Sequence, residues 1–161
     1  MNPYASFLGE RNTSEVIEET PRRLYEAAVN LGQGNVEWRP APGKWNAREI
    51  VCHLADCEIV FAYRLRQTLA ENHHVIQPFD QERWAGTYAA FEMRAALDVF
   101  SSVRHWNVQL IRSLSPEQLG KRVTHPERGE ETFQVIVETM AGHDINHLQQ
   151  IDRIVSTFAR A

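Results

Sequence analysis

Residues 132–158 read TFQVIVETMAGHDINHLQQIDRIVSTF, and this stretch decides the fold. Its apolar side chains recur at the helical period, which predicts one long helix. It also carries His143 and His147, whose spacing of four residues places both imidazoles on one helix face, with Cβ atoms about 6 Å apart. One ion can be reached by both rings, as in the two-histidine sites of HExxH helices. The stretch therefore predicts a helical fold and a candidate metal site together.

Three further segments carry the helical period, and none shows the sustained apolar alternation of a half-buried strand. We therefore predict an all-α fold. The four predicted helices span about residues 13–31, 47–71, 87–114 and 132–158.

Local signals place the ends of these helices. Gly32 ends the first helix, because glycine readily adopts the left-handed conformation found at helix C-termini. Asn46 and Glu49 form a predicted capping box at the start of the second helix. Ser115 followed by proline predicts a short extra turn after the third helix, and a loop containing His125 leads to the last one.

A long connection joins the second and third predicted helices. Residues 72–86 contain Pro78 and Gly86, and the run 79–84 reads as too irregular for a helix. Connections between antiparallel bundle neighbours usually take about 2–8 residues. A longer one permits a crossover that leaves helices two and three parallel. The sequence therefore predicts a four-helix bundle with up-down-down-up topology and a long crossover loop between helices 2 and 3.

The composition is that of an ordinary globular protein. A chain of 161 residues fits a single domain over residues 1–161. The net charge of −4 argues against broad nucleic-acid binding, which needs clustered Lys and Arg. No stretch approaches the roughly 18 apolar residues of a membrane span, and residues 1–12 lack the apolar core of a signal peptide. We expect a cytoplasmic protein that binds neither nucleic acid nor membrane.

The two cysteines, Cys52 and Cys57, fall in one predicted helix. Helix positions five apart point in different directions, so a disulfide between them is implausible. Two cysteines without a disulfide are typical of a reducing compartment, where a free cysteine usually serves as a small buried hydrophobic residue.

His53 is the best candidate for a third metal ligand. It lies in the apolar run 50–55, and a buried imidazole without a partner costs roughly 1–3 kcal/mol. Cys57 shares its helix face and could supply a thiolate, although we favour a packed thiol. The remaining histidines are poorer candidates, because they lie in predicted loops or on an exposed helix face: His73, His74, His105 and His125.

Three imidazoles suit a divalent transition metal, and they leave a coordination position open for water or substrate. We expect zinc first, with nickel, iron, copper or manganese as alternatives. Ligand histidines also need an acceptor for their second ring nitrogen. The candidates for that outer shell are Asp56, Asn146 and Gln150. Asp144 occupies the position of the HExxH glutamate, which acts as a general base in metalloproteases. Because the aspartate side chain is shorter and points away from the two histidines, we do not assign it that role.

The segments PGKWN (42–46), HLADCE (53–58), FD (79–80) and HDINHLQQI (143–151) resemble, in order and spacing, the DinB-like superfamily. The resemblance covers about residues 13–157. It implies a four-helix bundle with a metal held by three histidines, which fall on His53, His143 and His147, and it implies a homodimer. Trp45 and Glu58 also match recurrent family positions, which we interpret as a core plug and a structural ion-pair partner.

The resemblance leaves the reaction open, since family members resemble thiol S-transferases, an isomerase and metal-dependent hydrolases. Our leading hypothesis is a metalloenzyme whose ion activates water or a low-molecular-weight thiol against a small electrophilic substrate. Arg64 could meet an anionic cosubstrate, although a surface salt bridge is the preferred interpretation. Two alternatives remain: a non-catalytic metal-binding stress-response protein, and a polar core network that binds no ion. The catalytic residues beyond the metal ligands are not predicted.

Overall fold

The computed structural model describes residues 2–32 and 34–158, and helices dominate both ranges. In chain order the helices are α1 (Ala5–Leu8), α2 (Thr13–Leu31), α3 (Ala47–Ala70), α4 (Gln81–Ala85), α5 (Met93–Arg112), α6 (Pro116–Leu119) and α7 (Phe133–Phe158). A single 3-10 turn, Tyr88–Ala90, precedes α5. The predicted all-α bundle is confirmed, with α2, α3, α5 and α7 as its four long helices.

The helix boundaries follow the sequence signals closely. Asn46 and Glu49 form the expected capping box of α3, and Gly32 takes φ 65° after α2. The third bundle helix is shorter than predicted, because Phe91 and Glu92 are extended and separate the 3-10 turn from α5.

Two local predictions were wrong. The run 79–84 is not irregular throughout, since Asp80 caps the short helix α4 by accepting a hydrogen bond from the amide of Arg83 at 3.1 Å. The predicted loop at His125 is instead a hairpin of β1 (Arg122–His125) and β2 (Gly129–Thr132), paired antiparallel. Strands of four residues carry too little alternation for the sequence pattern to reveal them.

Contacts between the helices fix their directions. At one end, Arg48 of α3 donates to the Phe91 carbonyl just before α5, and at the other Arg66 donates to Asn107 of α5, so α3 and α5 are parallel. In contrast, α3 and α7 are antiparallel, since the pairs along them are His53 with His147 and Cys57 with His143.

The first long helix completes the arrangement. Thr20 of α2 lies beside Asp144 of α7, and Arg23, further along α2, contacts Asp152, further along α7. Because both helices advance in the same direction between these contacts, α2 and α7 are parallel. The predicted up-down-down-up topology is therefore confirmed, with the crossover between α3 and α5.

A polar layer divides the core of the bundle. One apolar cluster contains the buried apolar side chains between residues 47 and 55 of α3 and between residues 148 and 154 of α7. The other cluster contains those between residues 57 and 65 of α3 and between residues 133 and 145 of α7. Between them lie buried polar side chains from three helices: His53, Glu58, Arg104, Asn107, His143, Asp144 and His147. This group of buried polar side chains thus lies at mid-height in the bundle, between the two apolar clusters.

Among the described residues, no helix is both long enough and apolar enough to cross a lipid bilayer.

Candidate metal centre

The three predicted histidines meet inside the bundle. His53 of α3 lies opposite His143 and His147 of α7, and all three are buried, with 1%, 5% and 6% of their surface exposed. Their ring centroids form a compact triangle with sides of 5.1, 4.8 and 4.5 Å. The structure therefore brings together residues that are 90 positions apart in the chain.

Nitrogen atoms of two of the three rings are spaced as ligands of one ion would be. Nε2 of His53 and Nε2 of His143 lie 3.1 Å apart. Two nitrogens bound tetrahedrally to zinc at 2.0–2.1 Å would lie about 3.3 Å apart. The third ring contributes an unexplained atom, because Nδ1 of His147 is buried without a hydrogen-bond partner in the described part of the chain. The ligand atoms that lie within 4.8 Å of one another belong to His53, Cys57 and His143, and not to His147. The fit to a metal therefore rests on the close pair of nitrogens from His53 and His143, and on the unpartnered nitrogen of the adjacent His147 ring.

The electrostatics favour neutral rings. Burial lowers the pKa of His53 to about 3, with a further contribution from His147. Burial also lowers the pKa of His147 to about 4, although the neighbouring Gln150 side chain acts in the opposite direction. The pKa of His143 falls well below its usual value for the same reason, burial first and then the other two rings. At neutral pH all three rings keep a nitrogen lone pair for a metal.

Cys57 lies at the edge of this triangle. Its Sγ is 3.5 Å from Nε2 of His53 and 3.9 Å from Nε2 of His143, so the three ligand atoms lie within 4.8 Å of one another. Direction argues against a fourth ligand, however. Sγ is also 3.8 Å from Nδ1 of His53, so it lies over the ring face. A thiolate sharing an ion with Nε2 would be roughly 5 Å from Nδ1. Cys57 is placed as a packed thiol, and burial raises its pKa.

The predicted outer-shell residues behave differently from one another. Gln150 lies against His147 and donates to the Asn146 side chain at 3.5 Å. Asp56 points elsewhere, towards the hydroxyl of Tyr88. The structure therefore brings Gln150, and through it Asn146, to the histidines, but it places Asp56 outside the cluster.

Two aromatic side chains close over the rings. The Trp45 indole lies 4.8 Å from the His53 ring, so Trp45 covers the centre itself as well as packing against the core. Tyr4, which the sequence analysis did not single out, contacts His143 edge-on at 5.1 Å. Both contacts restrict the entry of water.

Gly142 explains how the N-terminal segment reaches His143. A Cβ atom at residue 142 would lie 2.5 Å from the backbone oxygen of Tyr4, so only glycine permits this approach. A glycine inside an apolar helical run, directly before a candidate ligand, is the signal that could have indicated the contact.

A second polar cluster adjoins the histidines. Arg104 of α5 pairs with Glu58 at 2.7 Å and with Asp144 at 2.5 Å, and Asn107 donates to Glu58 at 2.7 Å. The interpretation of Glu58 as a structural ion-pair partner is confirmed. The sequence analysis did not identify Arg104 as a buried residue, because its partners lie on two other helices and no local sequence pattern indicates them.

The other histidines lie apart from the centre. His73 and His105 are exposed, and His74 interacts with Glu71 at 3.1 Å. His125, which was predicted to lie in a loop, is instead a buried residue of β1: it is 4% exposed, and its Nδ1 accepts from the Glu127 amide at 3.2 Å.

Arg64 does not make the expected surface ion pair with any carboxylate in the ranges the structure covers. Its Nη2 donates to the Gln77 carbonyl at 3.2 Å, and its guanidinium lies 5.9 Å from the Phe79 ring centre. Arg64 therefore anchors the crossover connection to α3.

Several known proteins resemble this chain. A protein of Oceanobacillus iheyensis, with the provisional name of metal-dependent hydrolase, is 28% identical over 136 residues, which cover 84% of this chain and 79% of the relative. Proteins of Bacillus cereus with the same provisional name are 29% identical over the same coverage.

The solved structure of YfiT from Bacillus subtilis is described as a probable metal-dependent hydrolase with an unusual four-helix bundle topology. It aligns with a TM-score of 0.84 at 21% identity, covering 91% of this chain and 86% of YfiT. The fold is therefore that of YfiT. The family model of the DinB superfamily matches residues 17–151, and the chain belongs to this superfamily.

Proposed function

We propose that this protein is a metal-dependent enzyme in which His53, His143 and His147 hold a divalent ion that activates water, or a low-molecular-weight thiol, for attack on a small electrophile. The observation that carries the proposal is the convergence of three buried imidazoles with ring centres 4.5–5.1 Å apart. Nδ1 of His147 is also buried without a hydrogen-bond partner in the described part of the chain, which costs about 1–3 kcal/mol unless a ligand satisfies it.

The chain supplies the setting for this chemistry. A bound ion lowers the pKa of a coordinated water or thiol, which makes the nucleophile available near neutral pH. The protein positions the rings on two antiparallel helices, and Gln150 contacts the His147 side chain. Trp45 and Tyr4 cover the rings and exclude bulk water, which strengthens electrostatic interactions inside the site.

Hydrolysis is the first reaction to test, because the relatives and YfiT carry that description. Thiol transfer uses the same open position, with sulfur in place of water. We expect zinc as the ion, before nickel, iron, copper or manganese, and a homodimer as the assembly.

Cys57 supports a second candidate function, a non-catalytic metal-binding protein. Its Sγ lies 3.9 Å from Nε2 of His143, so rotation of the side chain would bring sulfur to the fourth position. Four protein ligands make a closed site, which is typical of structural zinc.

The test is a comparison of untagged wild-type protein with His147→Ala and His105→Ala. His105 is exposed and serves as the matched control. We expect about one metal ion per chain in the wild type and in His105→Ala, and loss of metal in His147→Ala. The metal-loaded proteins are then screened with activated esters and amides, and with several thiols plus a model electrophile. Equal turnover in wild type and His147→Ala would refute the enzyme proposal.

A further inference from the structure

A groove runs beside the candidate centre, between the linker that precedes α3 and the last turns of α7. Its volume is about 550 Å³, which falls within the range of small-molecule sites. The lining residues come from both segments and from the first turn of α3: Trp38, Pro40, Ala41, Lys44, Trp45, Ile50, Gln150, Arg153, Ile154 and Thr157. We propose that this groove binds the substrate of the enzyme, and that this substrate is an anion joined to a flat apolar group. The inference rests on the proposed function.

Two lining residues connect the groove to the histidines. Trp45 lies in the groove wall and its ring is 4.8 Å from the His53 ring. Gln150 lies in the same wall and contacts the His147 side chain. A molecule in the groove is therefore separated from the candidate ion by one layer of side chains, and movement of either residue would open a path between them.

The charge of the groove selects the ligand. Lys44 and Arg153 are its two charged lining residues, and both are cationic. Neither forms an ion pair with a carboxylate in the described part of the chain, whereas the adjacent Asp152 pairs with Arg23 on the opposite side of α7. Two unpaired cations at one groove, in a chain with a net charge of −4, complement an anionic ligand.

The groove also presents an aromatic surface. Trp38 is 36% exposed and is held by Phe158, whose ring lies edge-on at 5.5 Å. Trp45 forms the inner wall, and Pro40 with Ala41 forms a wall of small, stiff residues. Flat apolar groups stack on such indoles. A ligand with its anion at Lys44 and Arg153 would lie with its apolar part between the two tryptophans.

The test uses 2-naphthoate as the probe and neutral 2-naphthamide as its matched control. The 161-residue chain has four tryptophans, so ¹H–¹⁵N spectra of the zinc-loaded protein contain four indole signals. We expect saturable shifts of the Trp38 and Trp45 signals with naphthoate, and unchanged signals from Trp84 and Trp106, which lie outside the groove. Naphthamide should bind more weakly.

Charge variants locate the anion. Lys44 and Arg153 are both exposed, and exposed ion pairs are individually weak. Lys44→Met with Arg153→Met should therefore weaken naphthoate binding about tenfold. This double variant should leave naphthamide binding unchanged. The control, Arg22→Met with Arg83→Met, removes the same charge from exposed positions elsewhere and should leave both affinities unchanged.

His147→Ala separates this inference from the proposed function. Naphthoate should still shift the Trp38 signal in this variant even though the metal is lost. The inference is overturned by the absence of saturable shifts, by equal affinity in the Lys44/Arg153 double variant, or by loss of binding in His147→Ala. That last result would mean that the carboxylate binds the ion rather than the groove. A wild-type protein that binds naphthoate but no metal would refute the proposed function alone.

Discussion

Arg104 and Asp144 form a buried ion pair one residue along α7 from His143. The guanidinium donates to both oxygens of Asp144, at 2.5 and 3.1 Å, and to Glu58 at 2.7 Å, and all three side chains are almost fully excluded from solvent. The two carboxylates raise the pKa of Arg104 by more than its burial lowers it, so the side chain remains charged. This cluster ties α3, α5 and α7 together at the level of the histidines.

The first prediction concerns this cluster. Arg104→Met should lower the free energy of unfolding by about 3–5 kcal/mol, because Glu58 and Asp144 would be left buried without a counter-ion. Urea unfolding at pH 7 measures the change. Arg94→Met is the matched control, since Arg94 pairs with Asp98 on the surface of the same helix, and its removal should leave stability nearly unchanged. Similar losses in both variants would contradict the structural role of Arg104.

The sequence was sufficient for the bundle but not for this cluster. Helix bounds, capping and topology follow from local periodicity and loop length, which is why the ends of α2 and α7 were predicted to within about one residue. His53 could be selected because an imidazole inside an apolar run needs a partner. Arg104 lies on an amphipathic helix where a charged side chain ordinarily faces solvent, and only the packing of α5 against α3 and α7 shows that it is buried.

The same limit applies to Tyr4 and to the hairpin. Tyr4 reaches His143 through an N-terminal segment that lies before the matched family region, so no motif connects the two residues. The four-residue strands β1 and β2 are defined by their pairing with each other, which is a non-local contact.

The second prediction concerns the N-terminal segment. Gly142→Ala would place a Cβ atom 2.5 Å from the Tyr4 carbonyl oxygen, which accepts hydrogen bonds from Phe7 and Leu8. We expect this segment to leave α7, with overpacking costing about 1–3 kcal/mol against a gain of about 0.5–1 kcal/mol from replacing a helical glycine.

Hydrogen exchange of residues 2–9 measures this detachment. These amides should exchange faster in Gly142→Ala than in wild type, and the Tyr4–His143 contact should be lost. Gly120→Ala is the control, because a Cβ atom there makes only ordinary contacts at 3.4–3.5 Å. Unchanged protection of residues 2–9 in Gly142→Ala would show that the segment does not depend on the glycine.

The third prediction is acid sensitivity of the metal-free protein. The pKa values of His53 and His147 fall from 6.5 to about 3 and about 4 in the folded chain. Between pH 6.5 and 4 the unfolded chain therefore binds protons that the native chain does not, so stability rises with pH and is lost on acidification. Each such histidine contributes a slope of up to about 1.4 kcal/mol per pH unit.

Urea titrations from pH 7.5 to 4.5 in the presence of a chelator measure this slope. His147→Gln should reduce the slope by an amount close to that of one proton, about 1.4 kcal/mol per pH unit. Substitution of the exposed His105 by glutamine should leave the slope unchanged. A His147→Gln slope equal to that of wild type would mean that the ring is protonated in the native state.

The last prediction separates an open site from a closed one, using the two cysteines. Cys57 lies over the face of His53, whereas Cys52 is buried in the apolar cluster that contains residues 47–55. The cobalt-substituted protein should therefore lack a sulfur-to-cobalt charge-transfer band, and added thiol should create one by entering the open position.

Cys57→Ser and Cys52→Ser should both retain stoichiometric cobalt and this response to thiol. A band already present in the wild type, lost in Cys57→Ser but kept in Cys52→Ser, would identify Cys57 as a fourth ligand. That result would favour the structural metal site over the enzyme.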